Sequence, residues 1–155
     1  MMKRVSGLLI GVVLLSTAIF AQDPVFTRQD TLRGSITPER AWWDLTYYHL
    51  SVNVNPTDSS FTGSNLVGYR VIETSDLMQI DLQPPMQIIS ISQDGVKQKF
   101  TKDGNAWFVQ LNGAQNKGDI KYLQIEFGGK PQISKRPPWE GGVSWGKDRK
   151  GNPFI

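Results

Sequence analysis

The sequence predicts an all-β protein, an antiparallel β-sandwich or bent saddle-like sheet preceded by a helical signal peptide. Three observations predict it. In Leu45 to Val54, the residues Tyr48, Leu50, Val52 and Val54 fall on one side and Tyr47, His49, Ser51 and Asn53 on the other. That period of two belongs to a strand with one buried and one wetter face. A second run alternates in the same way, with Asn65, Val67, Tyr69 and Val71 against Leu66, Gly68, Arg70 and Ile72, and loop formers Asn55 to Ser60 join the two as an antiparallel pair. Downstream, turn signals recur at short intervals: Pro84-Pro85, Asp94-Gly95, Asp103-Gly104 and Asn112-Gly113.

Taken in order, residues 1–21 stand apart from this fold. Lys3 and Arg4 precede an apolar run from Gly7 to Phe20, and small residues follow at Ser16, Ala18 and Ala21. This is the pattern of a secretory signal peptide cleaved after Ala21. The run is shorter than the ~20 apolar residues of an ordinary membrane span. The protein is therefore expected to be exported, to the periplasm or outside the cell, with no stable membrane span. The chain has 0 Cys, so neither disulfides nor a lipid-modified cysteine can hold it, and its core must come from burial alone.

Residues 22–40 read as a loosely ordered leader, with one helical turn at Thr37-Pro38-Glu39-Arg40, Thr37 as its cap and Pro38 at its first position. Residues 41–130 form the β-sandwich domain. After the first pair, strands are predicted at Leu77 to Leu82, Ile88 to Ile91, Val96 to Phe100, Trp107 to Leu111 and Tyr122 to Phe127. The predicted core is Tyr48, Leu50, Val52, Val54, Val67, Tyr69, Val71, Ile80, Leu82, Ile88, Phe108, Leu111, Leu123, Ile125 and Phe127. Residues 131–155 are rich in Pro and Gly and read as an extended loop ending in an incomplete hairpin.

The charge excludes one class of partner. The 155 residues carry a net charge of +3, and Lys3 and Arg4 supply two of those positive charges from the signal segment. What remains is close to neutral, so nucleic acid is not an expected partner. Lys130, Lys135, Arg136, Lys147, Arg149 and Lys150 crowd the C-terminal end, but Glu140 and Asp148 interrupt them, and they read as a solvated loop rather than an anion site.

Catalytic chemistry is also restricted. A zinc site needs several converging His, Cys, Asp or Glu ligands, and His49 is the 1 histidine in the chain. No Ser sits in a Gly-x-Ser-x-Gly elbow, and no cysteine nucleophile exists. Glu39, Asp44 and Glu126 read as ordinary surface carboxylates. Trp139 and Trp145 are the contact candidates: either an exposed aromatic face for a sugar, a peptide or a neighbouring domain, or a cover for the open end of the sandwich. Trp42 and Trp43 are expected to plug the start of the first strand.

In order and spacing, several segments resemble the N-terminal β domain of the aminopeptidase N family of zinc metallopeptidases. They are Tyr47 to Pro56, Phe61-Thr62-Gly63 to Tyr69, Gln79-Ile80-Asp81-Leu82, Ile91 to Gly95, and Lys117-Gly118-Asp119 with Leu123 to Pro131. Phe127 stands where that family usually has tyrosine. The resemblance implies a fragment: a non-catalytic domain of a secreted aminopeptidase-like protein, inactive alone. It would pack on a catalytic domain C-terminal to it and help shape the peptide cleft. Zinc would belong to that catalytic domain, and this chain would hold no cofactor. No catalytic, substrate-binding or metal residue carries over to it. The face that meets the other domain would be exposed and apolar. The alternative is a free-standing exported β-sandwich that binds carbohydrate or a protein partner.

Overall fold

A computed structural model describes residues 25–155. The signal peptide expected at residues 1–21 lies outside the described residues. Two short helices, α1 (Arg28–Gly34) and α2 (Pro38–Ala41), precede ten strands. These are β1 (Trp43–Asn55), β2 (Ser60–Val71), β3 (Ser75–Asp81), β4 (Gln87–Gln93), β5 (Val96–Lys97), β6 (Lys99–Asp103), β7 (Ala106–Gln115), β8 (Ile120–Gly129), β9 (Gly146–Lys147) and β10 (Pro153–Phe154). A five-stranded antiparallel sheet, ordered β1-β2-β8-β4-β5, faces a three-stranded one, ordered β3-β7-β6. The architecture is the predicted antiparallel sandwich. Among the described residues, no helix is long and apolar enough to cross a membrane.

Residues directly opposite one another in a ladder share a face. In β2 the inward set is Val67, Tyr69 and Val71; β8 adds Leu123 and Ile125, and β4 adds Ile88 and Ile91. From the second sheet come Met78, Trp107, Val109 and Leu111. Trp42 closes one end of this core and is 3% exposed, while Trp43 is half-buried; both rings meet Tyr69 edge-on at 5.9 Å. The two Trp do plug the entrance to β1.

The expected core needs two corrections. Tyr48, Leu50 and Val52 are 55%, 59% and 46% exposed. They do share a face with Val67, as the alternation requires, but β1 is the outermost strand and no core residue comes from it. The opposing sheet has three strands and does not reach over it. Val54, Ile80, Leu82 and Phe127 are half-buried for the same reason, at the margin of the core. Phe108 is the second correction. Leu111 points inward with Val109 and Trp107, which leaves Phe108 on the opposite, half-buried side of β7.

The predicted strand Val96 to Phe100 is two strands in different sheets. β5 pairs with β4, and β6 pairs with β7. The chain crosses at Gln98, which is 6% exposed; its Nε2 donates to the Val96 carbonyl at 2.7 Å and its Oε1 accepts from the Asn112 N–H at 2.8 Å. A buried amide serves this crossing because the ladder bonds lapse there and backbone groups need partners. The turn before it is as predicted: Asp94 and Gly95 both have positive φ, at 52° and 77°.

The leader also departs from expectation. α1 is a capped helix, with Thr27 accepting from the Asp30 N–H at 3.3 Å and Asp30 returning the bond to the Thr27 N–H at 2.8 Å. Arg28 and Gln29 donate to Asp103 at 2.8 and 2.6 Å, and the Arg28 bond, followed by that of Gln29, holds the Asp103 carboxyl below the usual carboxylate range. α2 starts at Pro38 as predicted, but the Thr37 side chain does not cap it. It donates instead to Gln79 Oε1 at 2.7 Å, and Gln79 Nε2 donates to the Leu32 carbonyl at 3.1 Å. Gln79 is 0% exposed, so this amide fastens both helices to β3. Gln79→Met is expected to cost about 1–2 kcal/mol by leaving those groups unpaired, read as a lower urea midpoint.

Candidate functional site: an open apolar groove

Because β1 overhangs the second sheet, the sandwich has an open side. There lies a groove of about 660 Å³. Leu45, Tyr48 and Leu50 form one wall, and Ile80 and Leu82 the other; Val67, Ile125 and Phe127 contribute to the floor. A bulge between Leu45 and Tyr47 keeps Leu45 on the same face as Tyr48, so the β1 wall is continuous. Arg40 from α2 pairs with Asp81 at the rim. Partial burial raises the Tyr48 hydroxyl above the usual tyrosine range, and the Asp81 charge adds to this. Asn65 also lines the groove, and its buried Oδ1 has no hydrogen-bond partner. The groove is made to cover apolar surface; Arg40 and Asp81 are its ionised groups, and they satisfy each other.

The residues singled out from the sequence lie apart. His49 is on the opposite face of β1, exposed, with Nδ1 at 3.3 Å from the Tyr47 hydroxyl. Among the described residues, no three His, Cys, Asp or Glu side chains lie close enough to share a metal ion. A resident zinc does not fit this donor set. Glu126 accepts from the Ser90 hydroxyl at 2.7 Å, while Asp44 is exposed and Glu39 half-buried elsewhere. Arg136 of the basic C-terminal group pairs with Glu140.

The two contact tryptophans separate. Trp139 is 88% exposed. Trp145 is half-buried against Phe61, with ring centroids 5.6 Å apart, and its buried Nε1 has no acceptor. Trp145 thus covers the end of β2, and Trp139 covers nothing. The terminal hairpin is present as β9 and β10, two residues each, while Val143 makes an isolated parallel bridge with Ile133. Asp148 ties the hairpin turn by accepting from the side chain and N–H of Asn152 at 2.9 and 2.8 Å and from the Lys150 N–H at 2.8 Å, which lowers its pKa.

Sequence reasoning missed the groove as a site. The signal was present in the apolar alternation of β1, but the same alternation describes a covered strand. Which strand is outermost depends on pairings tens of residues apart.

No family model matches the chain, and no curated protein matches it in sequence. Its fold does match solved structures. An M1 zinc metallopeptidase mutant from Deinococcus radiodurans aligns with a TM-score of 0.55 and 17% identity, over 64% of this chain and 23% of that one. Another structure of M1 zinc metallopeptidase from the same organism gives 0.55 and 17%, over 70% and 27%. A two-domain M1 zinc metallopeptidase mutant bound to L-arginine gives 0.54 and 18%, over 71% and 27%. This chain therefore spans about a quarter of the length of these neighbours. At such identity the likeness establishes the fold.

Proposed function

From a fold shared with part of the M1 zinc metallopeptidases, we infer that this chain is the non-catalytic N-terminal domain of an exported zinc aminopeptidase-like protein. It packs on a catalytic domain and helps shape the peptide cleft. One observation carries the reading: the fold match takes in most of this chain and about a quarter of each neighbour. The exposed apolar groove supports it, since monomeric surfaces seldom leave such a face open. In this reading zinc and the groups that activate water come from the other domain, and His49, the 1 histidine here, takes no part in holding the ion.

In this reading the domain contributes shape. It orients a wall against the cleft and excludes water from the joint, and it holds no proton-transferring group at the reacting bond. The test is the reading frame downstream of Ile155. An HExxH motif followed by a distant Glu is the expected result. A frame without one would overturn the proposal.

Trp139 favours a second reading. A tryptophan 88% exposed in a Pro/Gly loop suits contact with a sugar ring or a peptide. A free-standing binding module would show a shift in tryptophan fluorescence on titration with oligosaccharides or peptides, and the shift would vanish in Trp139→Ala. The domain reading expects no such saturable shift.

A further inference from the structure

The five-stranded sheet ends on β1, whose 13 residues pair with β2 alone. Such an edge leaves a row of backbone N–H and C=O groups without protein partners, and native edges are usually short, charged, Pro-bearing or covered. The other edges here obey that rule. β5 is 2 residues long and carries Lys97. β6 carries Lys99 and Lys102. β3 lies against α2, with Arg40 bonded to Asp81. In β1 such protection is confined to its start, with Asp44 and the bulge after Leu45; Leu45 to Val54 contains no Lys, Arg, Asp, Glu or Pro. The same strand exposes Leu50 and Val52 on its groove side, 59% and 46% open. In the groove, Asn65 Oδ1 is buried and lacks a donor.

We propose that the edge of β1 receives an extended strand from the remainder of the full-length polypeptide. That strand lies beside β1 as a sixth strand of the sheet and lays alternate apolar side chains into the groove. The inference rests on the proposed function and names the surface through which this domain joins the rest of the protein. The length is available, since roughly three quarters of each structural neighbour lies outside the match. A strand fits where a helix does not, because a helix satisfies its own backbone and leaves the β1 groups unpaired. A second copy fits less well. Antiparallel pairing of two β1 edges by a twofold axis normal to the sheet sets both grooves on one face and fills neither.

The test is hydrogen–deuterium exchange on the full-length protein, read amide by amide across β1. All N–H groups from Tyr47 to Val54 are expected to be protected about as strongly as those of β2, on the order of 100-fold or more over unstructured chain. Alternate β1 amides exchanging at unstructured rates would overturn the proposal. So would β1 protection that rises with protein concentration, since the partner would then be a second copy. A longer frame encoding HExxH together with an unprotected edge removes this inference and leaves the proposed function standing. A frame that stops at Ile155 removes both.

Discussion

Tyr69→Ala is expected to cost about 3–5 kcal/mol, enough to consume most of the stability of an ordinary small domain. Tyr69 is 0% exposed, and Trp42 and Trp43 both rest edge-on against its ring. Its hydroxyl accepts from Gln93 Nε2 at 2.8 Å and donates to Gln115 Oε1 at 3.4 Å. Both glutamines are themselves buried, at 8% and 6% exposed. Removing the ring opens a cavity under two tryptophans and leaves two amides without this partner, so transfer, cavity and desolvation losses fall at one position. Tyr69→Phe separates the contributions. It keeps the ring and removes the hydroxyl, with an expected cost of about 1–3 kcal/mol.

The same residue sets a pH response. Burial, opposed by the Gln93 bond and reinforced by the Asp94 charge, pushes the Tyr69 hydroxyl up to about 12. In the unfolded chain it titrates near its ordinary value of about 10. The folded state therefore holds the proton longer. Its contribution is fully present below pH ~10 and is lost as pH rises through about 12. Urea midpoints at pH 8 and pH 11 should fall further for the parent chain than for Tyr69→Phe. Equal falls would contradict this assignment.

Gly63→Val is the second large effect, about 3 kcal/mol, at the upper end of the range for overpacking. A Cβ at Gly63 would stand 2.2 Å from the Ser51 carbonyl oxygen and 2.9 Å from Phe127 Cζ. The first contact is with backbone, so relief requires β1 and β2 to separate, and β1 has only this one partner. The Phe61-Thr62-Gly63 motif thus has a packing cause: the phenylalanine meets Trp145, and the glycine lets β1 approach. Gly34→Ala is the matched control. Nothing lies within 4 Å of the added Cβ, and its effect should stay within about 0.5 kcal/mol. Thermal unfolding of the three chains checks both expectations.

β2 and β8 were legible because each has a strand on both sides and a sheet opposite; their alternation and their burial therefore coincide at Val67, Tyr69, Leu123 and Ile125. In β1 the period was right and the burial wrong, because alternation assigns a side chain to a face and says nothing of what covers that face. The crossing at Gln98 was hidden since a glutamine between two lysines looks like an ordinary solvent-facing position. α1 was hidden because its only buried side chain is Leu32, and one residue has no period. Asn65 and Gln79 become informative only when tertiary structure shows which amide is satisfied and which is not. The donor inventory is read directly from the sequence: with 1 histidine and 0 cysteines, a zinc-type site would have to draw almost wholly on carboxylates.

The central claim is that this polypeptide supplies a wall and other parts of the protein supply the reacting groups. It is tested most directly by assaying residues 22–155 and the full-length protein side by side, with added zinc, for release of the terminal residue from aminoacyl-p-nitroanilides. The account predicts zinc-dependent release by the full-length protein that a chelator abolishes, and none by residues 22–155. Zinc-dependent release by residues 22–155 alone would contradict it.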